Sequence, residues 1–116
     1  MRDHNKIRAF ELSDEFVLLI YNITKQFPKE EVYGLTSQIR RAAVSVPSNI
    51  VEGCARKTEG EYKRFLDVAF GSFRELKYQF GLAYRLGYVK DTDIQQCNSK
   101  LTETEKVLSA LIRSLR

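Results

Sequence analysis

A length of 116 residues, 43% hydrophobic and 29% charged, suits one compact domain spanning residues 1–116 and argues against a disordered chain. The net charge of +4 permits an acidic partner such as RNA, DNA or an anionic membrane without demanding one. Two cysteines, Cys54 and Cys97, outside any C-x-x-C spacing, argue against a disulfide framework, and the longest apolar run, FVLLIY at 16–21, falls far short of the roughly 20 residues a membrane span needs.

The start, MRDHNKIRAF, lacks the apolar stretch of a signal peptide, so a cytoplasmic protein is expected. A first helix is predicted from about Arg8 to Gln26 at 3.6 residues per turn. Phe10, Ser13, Val17, Ile20, Tyr21 and Thr24 share one of its faces, and Leu12, Phe16, Leu19 and Ile23 form a seam beside it. Pro28 stops it and Gly34 ends the connection.

The second helix is predicted from about Leu35 to Lys57. Leu35, Ile39, Ala42, Ala43, Val46, Ile50 and Gly53 fall within an arc of about 100°. That pattern stays in phase across Pro47, which predicts one helix kinked there. Proline removes the hydrogen bond to the Ala43 carbonyl at a cost of about 3 kcal/mol unless something compensates. A break with Ser48 as a new N-cap is the alternative.

Thr58 followed by Glu61 has capping-box spacing and opens a third helix that runs to about Leu86. Tyr62, Phe65, Leu66, Ala69, Phe73, Leu76, Phe80, Ala83 and Tyr84 form its core face; Val68, Ser72, Glu75, Gln79, Leu82 and Leu86 form a second seam. Gly87 is the expected C′ residue. A fourth helix, about Asp91 to Leu115, carries Ile94, Cys97, Leu101, Thr104, Leu108, Leu111 and Leu115 in strict 3-4 spacing. No strand-like alternation competes. Four helices with short connections predict an all-α, antiparallel up-down four-helix bundle.

A polar line flanks the apolar face of helix two: Gln38, Arg41, Ser45, Asn49 and Glu52. Helix three offers Ser72, Glu75 and Gln79 in the same relation to its own core face. The two stripes are expected to meet as a structural polar seam that sets helix register, with Arg41 pairing Glu75 or Glu52 and Asn49 bridging carbonyls, including the one freed at Ala43. The catalytic alternative is poorly supplied. Metal sites in bundles use Glu-x-x-His pairs, whereas this chain has a single histidine, His4, near a terminus expected to be frayed and solvated. No cysteine cluster suggests zinc, and no second histidine serves a Ser-His-Asp device. A hydrolase built on Glu52 and Glu75 is the remaining enzymatic reading. No catalytic residue, metal or cofactor is expected.

FPKEEVYGLTSQIRRAAVSVPSNIVEGCAR, followed by YKRFLDVAFGSFRELKYQFGLAYRLGY, strongly resembles the four-helix-bundle family encoded in intervening sequences of bacterial 23S ribosomal RNA genes. The shared elements are Phe27-Pro28, YGLTSQIRRAA (33–43), SNIVEG (48–53), FL (65–66), GS (71–72), EL (75–76) and LGY (86–88), covering roughly residues 10–90. Helix four matches in pattern alone. Val51 stands where an alanine is usual, and Pro47 where relatives often carry isoleucine. The resemblance implies a cytoplasmic bacterial protein and a small homo-oligomer, a pentameric ring. A relative of the same fold is the accessory protein of diversity-generating retroelements, which acts with a reverse transcriptase and RNA; both relations point to RNA or a ribonucleoprotein partner, with no active site and no small-molecule substrate.

The residues themselves bear on both expectations. Helix one is apolar over about 200°, wider than an outer bundle helix needs. Val44 and Val51 on helix two, and Tyr78 and Leu82 on helix three, lie away from the core faces and are the candidate oligomer interface. Arg56, Lys57, Lys63 and Arg64 cluster at the junction of helices two and three, and Arg74, Lys77 and Arg85 continue along helix three; these seven are the candidate nucleic-acid-binding residues. Without an exposed aromatic stacking platform, backbone contact is expected rather than sequence readout. The expected function is a non-enzymatic oligomeric module binding structured RNA or a ribonucleoprotein; a protein–protein scaffold that never touches nucleic acid is the alternative.

Overall fold

A computed structural model describes residues 2–115. Among these, the chain is all-α. A short 3-10 turn (His4–Lys6) precedes α1 (Arg8–Thr24), and another (Lys29–Glu31) precedes α2 (Leu35–Cys54); α3 (Glu59–Arg85) and α4 (Asp91–Arg113) follow. The backbones of α1 and α2, α2 and α3, α3 and α4, and α4 and α1 run side by side, whereas the diagonal pairs stand farther apart and meet through side chains, as where Phe16 of α1 packs edge-on to Phe80 of α3 at 6.4 Å between centroids. That closed circuit is compatible with a bundle. It also accounts for the wide apolar surface of α1, which packs on two helices at once: Ser13, Ile20 and Thr24 from one seam and Leu12, Phe16 and Ile23 from the other are all buried.

α2 runs unbroken through Pro47, so Ser48 does not begin a new helix. All seven residues of its expected core face are buried. The N-terminus of α2 is capped by a residue the sequence pattern did not single out. The Leu35 N–H donates to Glu31 Oε1 at 3.0 Å, and the Tyr88 hydroxyl donates to Glu31 Oε2 at 2.9 Å. A carboxylate there meets unpaired amides and the positive end of the helix dipole. The Leu35 amide, then the Tyr88 hydroxyl, hold the Glu31 carboxyl below its usual range, and the same bond to Glu31 raises the Tyr88 phenol. Phe27 packs on the Tyr88 ring at 5.3 Å between centroids. The FP, YG and LGY segments therefore converge on one corner.

Thr58 caps α3, its Oγ1 accepting from the Glu61 N–H at 3.1 Å and donating to Glu61 Oε1 at 3.2 Å. At the other end Gly87 adopts φ +83°, and the Tyr88 N–H reaches the Ala83 carbonyl while the Gly87 N–H reaches that of Tyr84, both at 2.9 Å. This is a Schellman closure, which needs the left-handed conformation that glycine takes without steric cost.

Core-facing positions of α3 and α4 follow the expected spacing, with corrections at the edges. Tyr84, placed on the core face by periodicity, is 40% exposed and donates to Asp91 Oδ1 at 3.0 Å. Tyr21 is equally exposed, and the Arg40 guanidinium lies 4.6 Å from its ring centroid. Ile112 and Val89, outside the expected seams, are buried. Buried hydroxyls find backbone acceptors one turn back: Thr24 Oγ1 on Ile20 and Thr104 Oγ1 on Lys100, each at 2.7 Å. His4, expected to be frayed and solvated, sits in an ordered turn, half-buried and edge-on to Phe10 at 4.8 Å. No helix among the described residues is long and apolar enough to cross a membrane.

Candidate functional site: a polar cleft and a basic corner

The polar stripes of α2 and α3 do meet, over part of their length. Ser45 and Ser72 share a hydrogen bond of 2.7 Å between their hydroxyls, and Asn49 Nδ2 donates to the Ser45 carbonyl at 2.8 Å and to Ser45 Oγ at 3.0 Å. The Asn49 amide is thus committed to Ser45 and not to the Ala43 carbonyl that Pro47 leaves free.

Above this pair the seam opens. Gln38, Arg41 and Ser45 from α2 face Ser72, Glu75 and Gln79 from α3 across a cleft of about 450 Å³, with Ala42 in its wall. Arg41 forms no ion pair with Glu75 or Glu52 among the described residues; each of those expected pairings is absent. Gln79 is buried and its Oε1 has no hydrogen-bond partner. Glu52 lies elsewhere: it lines a groove between α1 and α2 with Asp14, Val44, Pro47 and Val51. The two carboxylates of the hydrolase reading therefore line different grooves.

The cations divide into two groups. Arg74 Nη1 and Lys77 Nζ each bind Glu105 of α4 at 2.9 Å, and they depress the Glu105 carboxyl, Lys77 most. They are tied to the α3–α4 contact. Arg56, Lys57, Lys63, Arg64 and Arg85 make no ion pair among the described residues. Arg56 and Arg64 flank the Phe65 ring at 4.9 and 6.0 Å. Arg2 joins this corner, which sequence spacing had no means of showing. Its N–H donates to the Cys54 carbonyl at 3.3 Å, its Nη1 to the Arg56 carbonyl at 3.5 Å, and its guanidinium lies 3.9 Å from the Tyr62 ring centroid.

Of the candidate interface residues, Val44 and Val51 are 38% and 36% exposed, Tyr78 is 63% exposed and Leu82 half-buried; Leu18 adds another apolar side chain, 70% exposed. No group of three or more potential metal ligands assembles among the described residues. Both thiols are buried; desolvation foremost pushes the Cys97 thiol up to about 11 and also raises that of Cys54, the opposite of an activated nucleophile.

The family model described as 23S rRNA-intervening sequence protein matches residues 5–110. Among solved structures, the chain superposes with a TM-score of 0.80 on a protein of unknown function from the S23 ribosomal protein family of Bacteroides thetaiotaomicron VPI-5482, at 24% sequence identity, covering 90% of this chain and 95% of that one. That likeness concerns the fold. Among curated proteins, no sequence matches this chain.

Proposed function

This chain belongs to the 23S rRNA-intervening sequence protein family, and we propose that it acts as a non-enzymatic, cytoplasmic, oligomeric module that grips structured RNA or a ribonucleoprotein by backbone contact. The observation that carries this reading is the α2–α3 corner, where Arg2, Arg56, Lys57, Lys63 and Arg64 gather without an acidic ion-pair partner among the described residues. Cations held on aromatic faces and a turn, free of carboxylates, are placed to neutralise phosphates. Arg74 and Lys77 contribute less, because phosphate must compete with Glu105 for them.

Short connections and the closed circuit of neighbours support an antiparallel up-down order, with α2 bending at Pro47. The exposed apolar side chains Leu18, Val44, Val51 and Tyr78 support self-association, five copies by family resemblance. A ring repeats the basic corner and gains affinity by multivalency.

Fluorescence anisotropy against a structured RNA, titrated at several salt concentrations, tests the corner. Affinity is expected to fall steeply with salt, by roughly 0.7–0.9 in logarithmic slope per phosphate contact. Arg56→Glu combined with Lys63→Glu removes most of it while circular dichroism stays helical. Unchanged affinity in that double variant at low salt rules the corner out. The same exposed apolar residues favour a second reading, a protein–protein scaffold without nucleic acid, which is left standing if no RNA binds at any salt concentration.

A further inference from the structure

We propose that the cleft between α2 and α3 is a binding site for a small zwitterion of the amino-acid class, a molecule with a carboxylate and a protonated amine. This stands apart from the RNA reading: the cleft begins at Ser45, nine residues before Cys54, about 14 Å along α2 from the basic corner.

The cleft wall selects the chemistry. Six polar side chains and one alanine line about 450 Å³, a volume within the usual range of small-ligand pockets. No aromatic ring lines it, so a nucleobase finds nothing to stack on, and a wholly apolar ligand would cover the charged ends of Arg41 and Glu75 without pairing them. Arg41 and Glu75 face the same space without pairing. A simple anion attracted by Arg41 meets repulsion from Glu75, and a simple cation meets the reverse. A zwitterion satisfies both, its carboxylate accepting from the guanidinium and its ammonium donating to the Glu75 carboxylate.

Gln79 supplies the independent observation. Its side chain is buried against the helix pair, yet Oε1 has no donor from the chain. A buried amide oxygen without a partner is uncommon and costly. Half a turn of the terminal amide exchanges the two atoms, so either Oε1 or Nε2 is turned to the cleft while the other takes the buried position. A zwitterion meets either orientation, its ammonium donating to Oε1 or its carboxylate accepting from Nε2, and the Gln38 amide at the rim is free to accept or donate to what remains. The Ser45–Ser72 bond and the Asn49 amide close one end of the cleft, so the site is framed before a ligand arrives.

The test uses the full chain. Each standard L-amino acid is added at millimolar concentration, one at a time, while thermal unfolding is followed; calorimetric titration then gives Kd for those that respond. At least one amino acid is expected to raise Tm in a dose-dependent manner. Propionate and ethylammonium, which carry one charge each, leave Tm unchanged. Arg41→Gln and Glu75→Gln each weaken binding by about tenfold or more. Both positions are exposed, so the helical signal of these variants is retained. The proposal is overturned if no amino acid shifts Tm or releases heat, or if the response survives both substitutions. It is equally overturned if the substitutions instead lower the mass in light scattering, which assigns the cleft to a second copy of the chain, or if they abolish RNA binding with no amino-acid response.

Discussion

The two halves of the α2–α3 contact are built from the same pair of helices and end in opposite conditions. Towards the connecting turn, Gly53 lets the backbones close up. A β-carbon there would stand 3.0 Å from Phe65 Cβ and 3.2 Å from the Tyr62 ring, and Ile50, Tyr62 and Leu66 are fully packed around it. Towards the start of α2 the apolar faces still meet, through Ile39, Ala42 and Leu76, but the flank carries Gln38, Arg41, Glu75 and Gln79 and stands open. Apolar periodicity therefore brings two helices together, while the flanking residues decide whether the edge is sealed or left as a cleft. A glycine seals it; long charged side chains that keep their hydration do not.

The contrast is broken most severely at Gly53. Gly53→Val overfills the sealed half and is expected to cost about 1–3 kcal/mol in urea unfolding. Gly71, on α3 beside the open half, has nothing within 4 Å of a built β-carbon, so Gly71→Ala in the same assay stabilises by about 0.5–1 kcal/mol through helix propensity. A Gly53 variant as stable as the parent shows that the sealed half is looser than its geometry.

Gln79→Met sharpens the comparison from the open side. It removes the unpartnered oxygen while keeping the length of the side chain, and stability should rise by about 1 kcal/mol. A loss of similar size means that Gln79 already has a partner in solution.

The smallest effect concerns Glu105, which ties α4 to the outer flank of α3. Lys77 and Arg74 hold its carboxyl below the ordinary value of 4.5, so its contribution is complete above that value and is lost as pH falls through the lowered folded value. Glu105→Gln is expected to flatten the acid limb of the Tm–pH profile while leaving neutral pH little changed, since exposed pairs of this kind contribute at most about 1 kcal/mol. Glu15 and Glu31 are also depressed, so part of the acid limb remains in the variant.

Much of this could be read along the chain. The apolar face of α2, the Thr58 cap and the Gly87 terminator each occupy the place their local chemistry requires, because a helix and its caps are settled by residues within about four positions of one another. The polar seam was legible as a stripe on each helix, though not in its pairing. Side-chain spacing on one helix says which residues share a face; it is silent about which residue of the facing helix lies opposite, so the expected Arg41–Glu75 pair had no basis in register, while Arg41 and Glu52 stand eleven residues, about 16 Å, apart along the same helix and out of ion-pair reach. The basic surface divided for the same reason: Arg74 and Lys77 look as free as Arg64 in the sequence, and the approach of α4 assigns them to Glu105.

By itself, then, the sequence determined four amphipathic helices, their boundaries to within a few residues, and the family. Only the tertiary structure decided where the seam opens, which cations stay unpaired, and that Arg2 and Tyr88 matter to corners distant from them in the chain. Helical periodicity is a short-range property of the backbone, whereas clefts and ion pairs depend on the relative placement of helices, which the summed packing of the whole core sets.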